Sequence, residues 1–249
     1  VRPTVFADPN QLGAALAARI TAEVATARSS DRPYVLGCPT GRSPASTYAA
    51  LAARRPYVEH VVIVMMDEFV VGGREIDPHM SHSCLRYARE VIAGPLGIPD
   101  ERVWLPDPAA PAAYDDRIAA VGGIDLFLLA SGATDGHVAF NPPGTPADSI
   151  TRVVELAETT RRDNMSTFPA LRRLDDVPRH GVTVGIDTIR RHSRSAVMIA
   201  HGTQKATTVE HLVEAQCYDE WWPASIIAEC ANAELWIDEA TLESPLGRI

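Results

Sequence analysis

The sequence predicts an α/β fold built on a mostly parallel sheet with helices on both faces. Three observations carry that expectation. Short apolar runs bounded by turn residues recur along the chain, they are apolar on both faces, and amphipathic segments separate them. In order, Pro33–Cys38 (PYVLGC) reads as a buried strand and Pro44–Arg54 as the helix after it. His60–Met66 (HVVIVMM) is a second strand, rich in β-branched residues. Ser81–Ala93 reads as helical, Val103–Leu105 as a short strand, and Ala112–Val121 as a helix stopped by Gly122 and Gly123. Ile124–Ala130 (IDLFLLA) is the strongest strand candidate. Gly181–Gly185, Ala196–Ala200 and Glu234–Ile237 are further strands, with helices at Thr203–Ala215 and Ala224–Ala231.

A single domain over residues 1–249 is expected, because no repeat, low-complexity tract or polar linker interrupts the pattern. Hydrophobic residues at 46% and charged residues at 22% exclude disorder as the main state. The formal net charge of −9 argues against a nucleic-acid partner, which requires a basic face. No apolar run is long enough for a membrane span, and the start VRPTVFADPNQLGAAL lacks the regions of a secretory signal. Cys38, Cys84, Cys217 and Cys230 form no CxxC pair, so free thiols and a cytoplasmic location are expected. Arginine is the default cation. Lys205 is the only lysine, which suits a place that needs a compact point charge.

In parallel α/β sheets ligands bind beyond the carboxyl ends of the strands, so the residues after each strand hold the functional information. The first such loop is Gly37-Cys38-Pro39-Thr40-Gly41-Arg42-Ser43-Pro44. Ser43 suits an N-cap and Pro44 a first helical residue, making Thr40, Gly41, Arg42 and Ser43 a candidate anion cradle. It matches neither GxxxxGK[ST] nor GxGxxG, so neither ATP nor NAD is implied. The second loop carries Asp67 and Glu68, adjacent carboxylates able to supply a general base. The third carries Asp135, Gly136 and His137, where a carboxylate can hold an imidazole in one tautomer for acid–base work. The fourth is His201-Gly202-Thr203-Gln204-Lys205. With Thr203 as a cap, Lys205 falls in the first helical turn, where a cation becomes sensible if an anion shares that helix end. His79, His82 and Cys84 have ligand chemistry but no matching fourth ligand, so no metal site is expected. Trp221 and Trp222 are expected to pack into the core beside a helix start.

Together the strings LGCPTGRSP, MDEF, DGHVAFNPP and GTQKA resemble the glucosamine-6-phosphate deaminase/isomerase family, with a weaker match at ETTRRDN and VTVG. The resemblance spans nearly the whole chain. It implies a Rossmann-like three-layer sandwich acting on an amino-sugar phosphate without metal or cofactor. By that resemblance Asp67 moves a proton between C2 and C1 of the open-chain sugar. Asp135 and His137 assist ring opening, and the PTG loop and Lys205 hold the phosphate. The chain also departs from the family pattern. Pro142 stands where the deaminases carry a glutamate, and Ser166 where they carry a phosphate-binding arginine. Arg42 stands where a small residue is usual. Arg42 is therefore expected to replace the missing arginine or to recognise another anionic group, and His201 to replace part of the missing acid. Thr151-Arg152-Val153-Val154 shows valine where regulated members carry lysine, so activation by an N-acetylated sugar phosphate is not expected.

Two alternatives remain open from the sequence. The DGH string is shared with 6-phosphogluconolactonases, in which His137 would activate water against a sugar lactone. Phe69, however, stands where those enzymes usually carry arginine. A non-catalytic sugar-phosphate binder is the other, although it would have no need of Asp67, Asp135 and His137, and no helix-turn-helix segment precedes the domain. The expected partner is a small-molecule sugar phosphate, and a homo-oligomer is allowed.

Overall fold

The computed structural model describes residues 1–243. The chain begins with β1 (Pro3–Phe6), α1 (Pro9–Ser29), β2 (Tyr34–Cys38), α2 (Ala45–Arg54) and β3 (Val61–Met65). It continues through β4 (Asp67–Val71), β5 (Arg74–Glu75) and α3 (Cys84–Tyr87). A π-helical stretch (Ala88–Ala93) and α4 (Gly94–Leu96) lead into β6 (Val103–Trp104). Next come α5 (Ala112–Ala120), β7 (Leu126–Ala130), β8 (Arg152–Glu155), α6 (Glu158–Thr167), β9 (His180–Thr183), α7 (Ile186–His192) and β10 (Ala196–Ala200). A 3₁₀ turn (Thr203–Lys205), α8 (Ala206–Glu214), a second 3₁₀ segment (Pro223–Glu229) and β11 (Ala233–Asp238) follow.

Seven strands form one sheet in the order β1-β11-β10-β7-β2-β3-β6. Every pairing in it is parallel. Alternate residues of each strand feed two separate cores. Tyr34, Leu36, Ile63 and Leu128 pack with α1 and α2 on one face. Val35, Val64, Phe127 and Leu129 pack with Tyr114, Ile189 and Leu212 from α5, α7 and α8 on the other. This is the three-layer α/β arrangement that the apolar runs predict.

A second sheet, β5-β4-β9-β8, is antiparallel and sits at the carboxyl end of the first. The expectation of one sheet is corrected here. The strand expected over Gly181–Gly185 is β9, and it belongs to this smaller sheet instead of extending the parallel one. The small sheet has its own core of Phe69, Phe140, Phe168 and Leu171, with the Phe69 and Phe140 rings 5.1 Å apart. The chain passes from β3 to β4 through the single residue Met66, so Asp67 stands where the two sheets meet.

Several local expectations are also corrected. The long helix α1 has no clear signature in the sequence, because its alanine-rich outer face blurs the contrast between apolar and polar sides. Ser43 caps nothing. Pro44 occupies the N-cap of α2 at φ −86°, without a side-chain cap. Thr203 is likewise no cap, and Thr203–Lys205 is a 3₁₀ turn ahead of α8. Ala224–Ala231 is replaced by the 3₁₀ segment Pro223–Glu229. Trp222 packs against the core and stacks on His211 at 4.0 Å, whereas Trp221 is exposed.

Gly37 allows β2 and β7 to lie side by side. A Cβ there would overlap the Phe127 ring. Gly37→Ala is expected to destabilise the fold by roughly 1–3 kcal/mol through overpacking, read as a lower midpoint in urea unfolding.

Candidate functional site

Loops following β2, β3, β7 and β10 converge on one cavity of about 180 Å³. Thr40, Gly41, Arg42, Ser43, Asp67, His137, His201 and Lys205 all line it. Four of the sequence-derived segments therefore share a single space. Asp135 stands behind His137 and reaches the cavity only through it. Helix α6 supplies Asp163, Asn164 and Thr167 to the wall, residues that no strand-end pattern marks in the sequence.

The cradle loop is pinned by two tyrosines. Tyr48 Oη donates to the Pro39 carbonyl at 2.8 Å, and Tyr87 Oη to the Gly41 carbonyl at 2.9 Å. Gly41 lies at φ +100°, a conformation that favours glycine. The loop thus presents Thr40, Arg42 and Ser43 to the cavity with its backbone already fixed.

Asp67 is 6% exposed, and no cation pairs with it among the described residues. Burial pushes its carboxyl up to about 7. The Cys84 thiol, 3.4 Å from Oδ1, partly opposes that rise, and the neighbouring Glu68 adds to it. A carboxyl ionising near neutrality is suited to accept and return a proton. Glu68 is corrected from its candidate role. In an extended strand adjacent side chains point to opposite faces, so Glu68 turns away from the cavity. It accepts hydrogen bonds from Ser83 Oγ, Cys84 N, Leu85 N and Phe69 N, at 2.8, 3.0, 2.9 and 2.8 Å. It therefore secures the start of α3. Its own carboxyl is pushed up by burial despite these donors.

The Asp135–His137 pair is formed. His137 Nδ1 lies 2.7 Å from Asp135 Oδ1, and the His137 amide donates to the same oxygen at 3.1 Å. Thr159 Oγ1 donates to Asp135 Oδ2. Burial alone would raise the Asp135 carboxyl. The His137 and Thr159 hydrogen bonds outweigh it and hold the group well below the usual carboxylate range. Glycine makes the room, since a Cβ on Gly132 would collide with the His137 ring and with Asp135 Oδ1. Gly136 does not line the cavity. It holds φ +64° under the Trp222 ring, so its role is to shape the loop.

Lys205 Nζ donates to the Ser131 carbonyl and borders the cavity. Burial lowers its pKa, Asp163 opposes that effect, and Arg42 adds to it. Arg42 and Lys205 therefore act on one another, and both line the cavity. His201 also lines it, and its Nε2 is buried without a hydrogen-bond partner among the described residues. Ser166 is exposed on α6 and does not reach the cavity, and Pro142 lies in a turn whose carbonyl accepts from Thr145 Oγ1 at 2.7 Å. Arg152 is committed to Asn141 Oδ1 at 2.9 Å and so braces the DGHVAFN loop. His79, His82 and Cys84 diverge. His79 is exposed, His82 packs edge-on against Phe69, and Cys84 faces Asp67. No group of three His, Cys, Asp or Glu side chains placed to hold a metal occurs among the described residues.

The family model for glucosamine-6-phosphate isomerases/6-phosphogluconolactonase matches residues 7–236. The chain belongs to this family. A glucosamine-6-phosphate deaminase of Bacillus pumilus is 32% identical, covering 94% of this chain and 95% of its own length. One from Pseudarthrobacter chlorophenolicus is 39% identical, covering 83% and 79%. Among solved structures, a monomeric glucosamine-6-phosphate deaminase superposes with a TM-score of 0.84 at 27% identity, covering 97% of this chain and 99% of its own. A 6-phosphogluconolactonase from Trypanosoma brucei shares the fold, with a TM-score of 0.72 at 22% identity over 97% of each chain.

The burial of Asp67 has a consequence for stability. Its folded pKa lies above the unfolded value near 3.8, so the native state binds the proton more tightly. Wild-type stability therefore falls as pH rises from about 4 to about 7, by as much as ~4 kcal/mol. Asp67→Asn removes that loss. Melting temperatures of the two proteins should coincide near pH 4 and diverge progressively up to pH 8, with the variant higher. Parallel curves across that range would contradict a buried, unpaired carboxylate.

Proposed function

We propose that the protein is an aldose–ketose isomerase that releases ammonia from a hexosamine 6-phosphate, as its glucosamine-6-phosphate deaminase relatives are named to do. The observation that carries this reading is a single cavity lined both by a neutral-range carboxylate and by two cations. Arg42 and Lys205, with Thr40 and Ser43, grip the phosphate. His137, held through Nδ1 by Asp135, keeps Nε2 free to carry the proton from the anomeric hydroxyl to the ring oxygen, which opens the pyranose. Ionised Asp67 then takes the C2 proton as the aldehyde oxygen O1 gains one, which gives an enolamine. Asp67 returns its proton to C1 while the nitrogen gives up one proton, replacing the one O1 received, which leaves a C2 imine. Water adds to C2 and ammonia leaves, so the protons balance among sugar, water and Asp67.

No step in this sequence calls for a metal or cofactor, and His201 adds a further polar group at the phosphate end. The lactonase alternative has less support here. Phe69 is fully buried in the small core and leaves no cation beside Asp67 and Glu68. No helix of the described residues is long and apolar enough to cross a membrane. All four cysteines are free, which supports a cytoplasmic setting.

Ammonia release from glucosamine 6-phosphate tests the assignment. Its kcat/KM should rise with pH through an apparent pKa near 7, because the base must be ionised. Asp67→Asn should lower kcat by about 10²- to 10⁴-fold. Intact turnover in that variant would remove Asp67 from the proton shuttle. Arg42→Ala should raise KM for the phosphorylated sugar by about tenfold, one lost charged contact of ~1.4 kcal/mol. An unchanged KM would exclude Arg42 from the phosphate site.

A further inference from the structure

We propose that Thr159, on the first turn of α6, is a positioning residue that fixes the Asp135–His137 pair for catalysis; this rests on the function assigned to that pair above. The Asp135 carboxylate has two oxygens and divides them between two tasks. Oδ1 takes both His137 contacts, the ring Nδ1 at 2.7 Å and the amide at 3.1 Å. Oδ2 takes the Thr159 hydroxyl. Without that donor the carboxylate could rotate about its Cβ–Cγ bond, and the imidazole it aims would follow. Thr159 does not line the cavity, so it acts on substrate only through Asp135.

Two further features favour this role. The N-terminal end of a ten-residue helix carries partial positive charge, which suits the anion it meets. The same helix brings Asp163, Asn164 and Thr167 to the cavity wall, and it is anchored by Arg161 Nη2, which donates to the Val177 carbonyl at 3.1 Å. One rigid element thus sets both the anion end of the cavity and the orientation of the ring-opening pair. The turn after Asn141 supplies no carboxylate to His137, so the hydroxyl on α6 completes the support by another route.

The test compares wild type with Thr159→Val, which keeps shape and loses the donor, and Thr159→Ser, which keeps the donor. Thr159→Ala serves if the valine variant folds poorly. Proton NMR without substrate reads the hydrogen-bonded Nδ1 proton of His137, assigned by its disappearance in His137→Gln. The signal should persist in the serine variant and broaden or vanish in the valine variant. In ammonia release, Thr159→Val should lose roughly tenfold in kcat with KM within about twofold, and Thr159→Ser should recover most of it. An unchanged Nδ1 signal in the valine variant overturns the proposal. Because that readout needs no substrate, it stands apart from any failure of the deaminase assignment.

Discussion

A carboxyl group held out of water without a cation is the constraint around which this molecule is organised. Asp67 sits at the one-residue junction between a parallel and an antiparallel sheet, with the Cys84 thiol against it and Met66 and Phe140 lining the same cavity. Pairing it with arginine would relieve the burial and drag its pKa down, leaving a weak base. The fold instead accepts the desolvation and offsets it elsewhere. The apolar central strands of the large sheet and the aromatic cluster of the small one supply the burial that tolerates such a group. Under the proposed function, stability and proton transfer are set against one another at this single side chain.

The surrounding loops answer a different need, which is rigidity without a regular backbone. Tyr48 and Tyr87 tie down the cradle carbonyls, Gly132 clears space for the Asp–His pair, and Ala139 adopts φ 52° where the DGHVAFN loop turns back. Phe140 N then donates to Thr183 Oγ1 at 3.1 Å, fastening that loop to the small sheet. The small sheet is therefore the brace that holds base and imidazole loops in one frame. The cations come from the loops after β2 and β10, the two strands that flank β7 in the sheet.

The central strands β2, β3, β7 and β10 were legible because they are apolar on both faces, as strands sandwiched between two helical layers must be, whereas the edge strand β1, with Thr4 and Val5 exposed, gave no such signal. The positions of Asp67, His137 and Lys205 were legible for the same reason, since each follows such a strand. The small sheet was not, because β4 and β9 mix charged, glycine and apolar residues, and their pairing is between segments distant in sequence. Glu68 looked equivalent to Asp67 by type and position. Only the pleat of β4, unseen until that segment is known to be a strand, sends the two to opposite sides. Ser43 offered the right chemistry for a cap, but Pro44 took the position. Thr159 lies in ETTRRDN, the weaker family match, but nothing in that string marks it as facing Asp135. Its importance arises from where α6 lands, and a threonine in a polar helix start is commonplace.

The protonation of Asp67 is the quantity on which site and mechanism both depend. Carbon-13 NMR of the protein labelled at aspartate carboxyls, titrated between pH 4 and pH 9 with Asp67→Asn as the assignment control, measures it directly. The carboxyl resonance of Asp67 should move through a midpoint near 7. A midpoint near 4, the value of an ordinary solvated aspartate, would mean that the carboxylate is hydrated or paired with a cation and that the base is not tuned by burial.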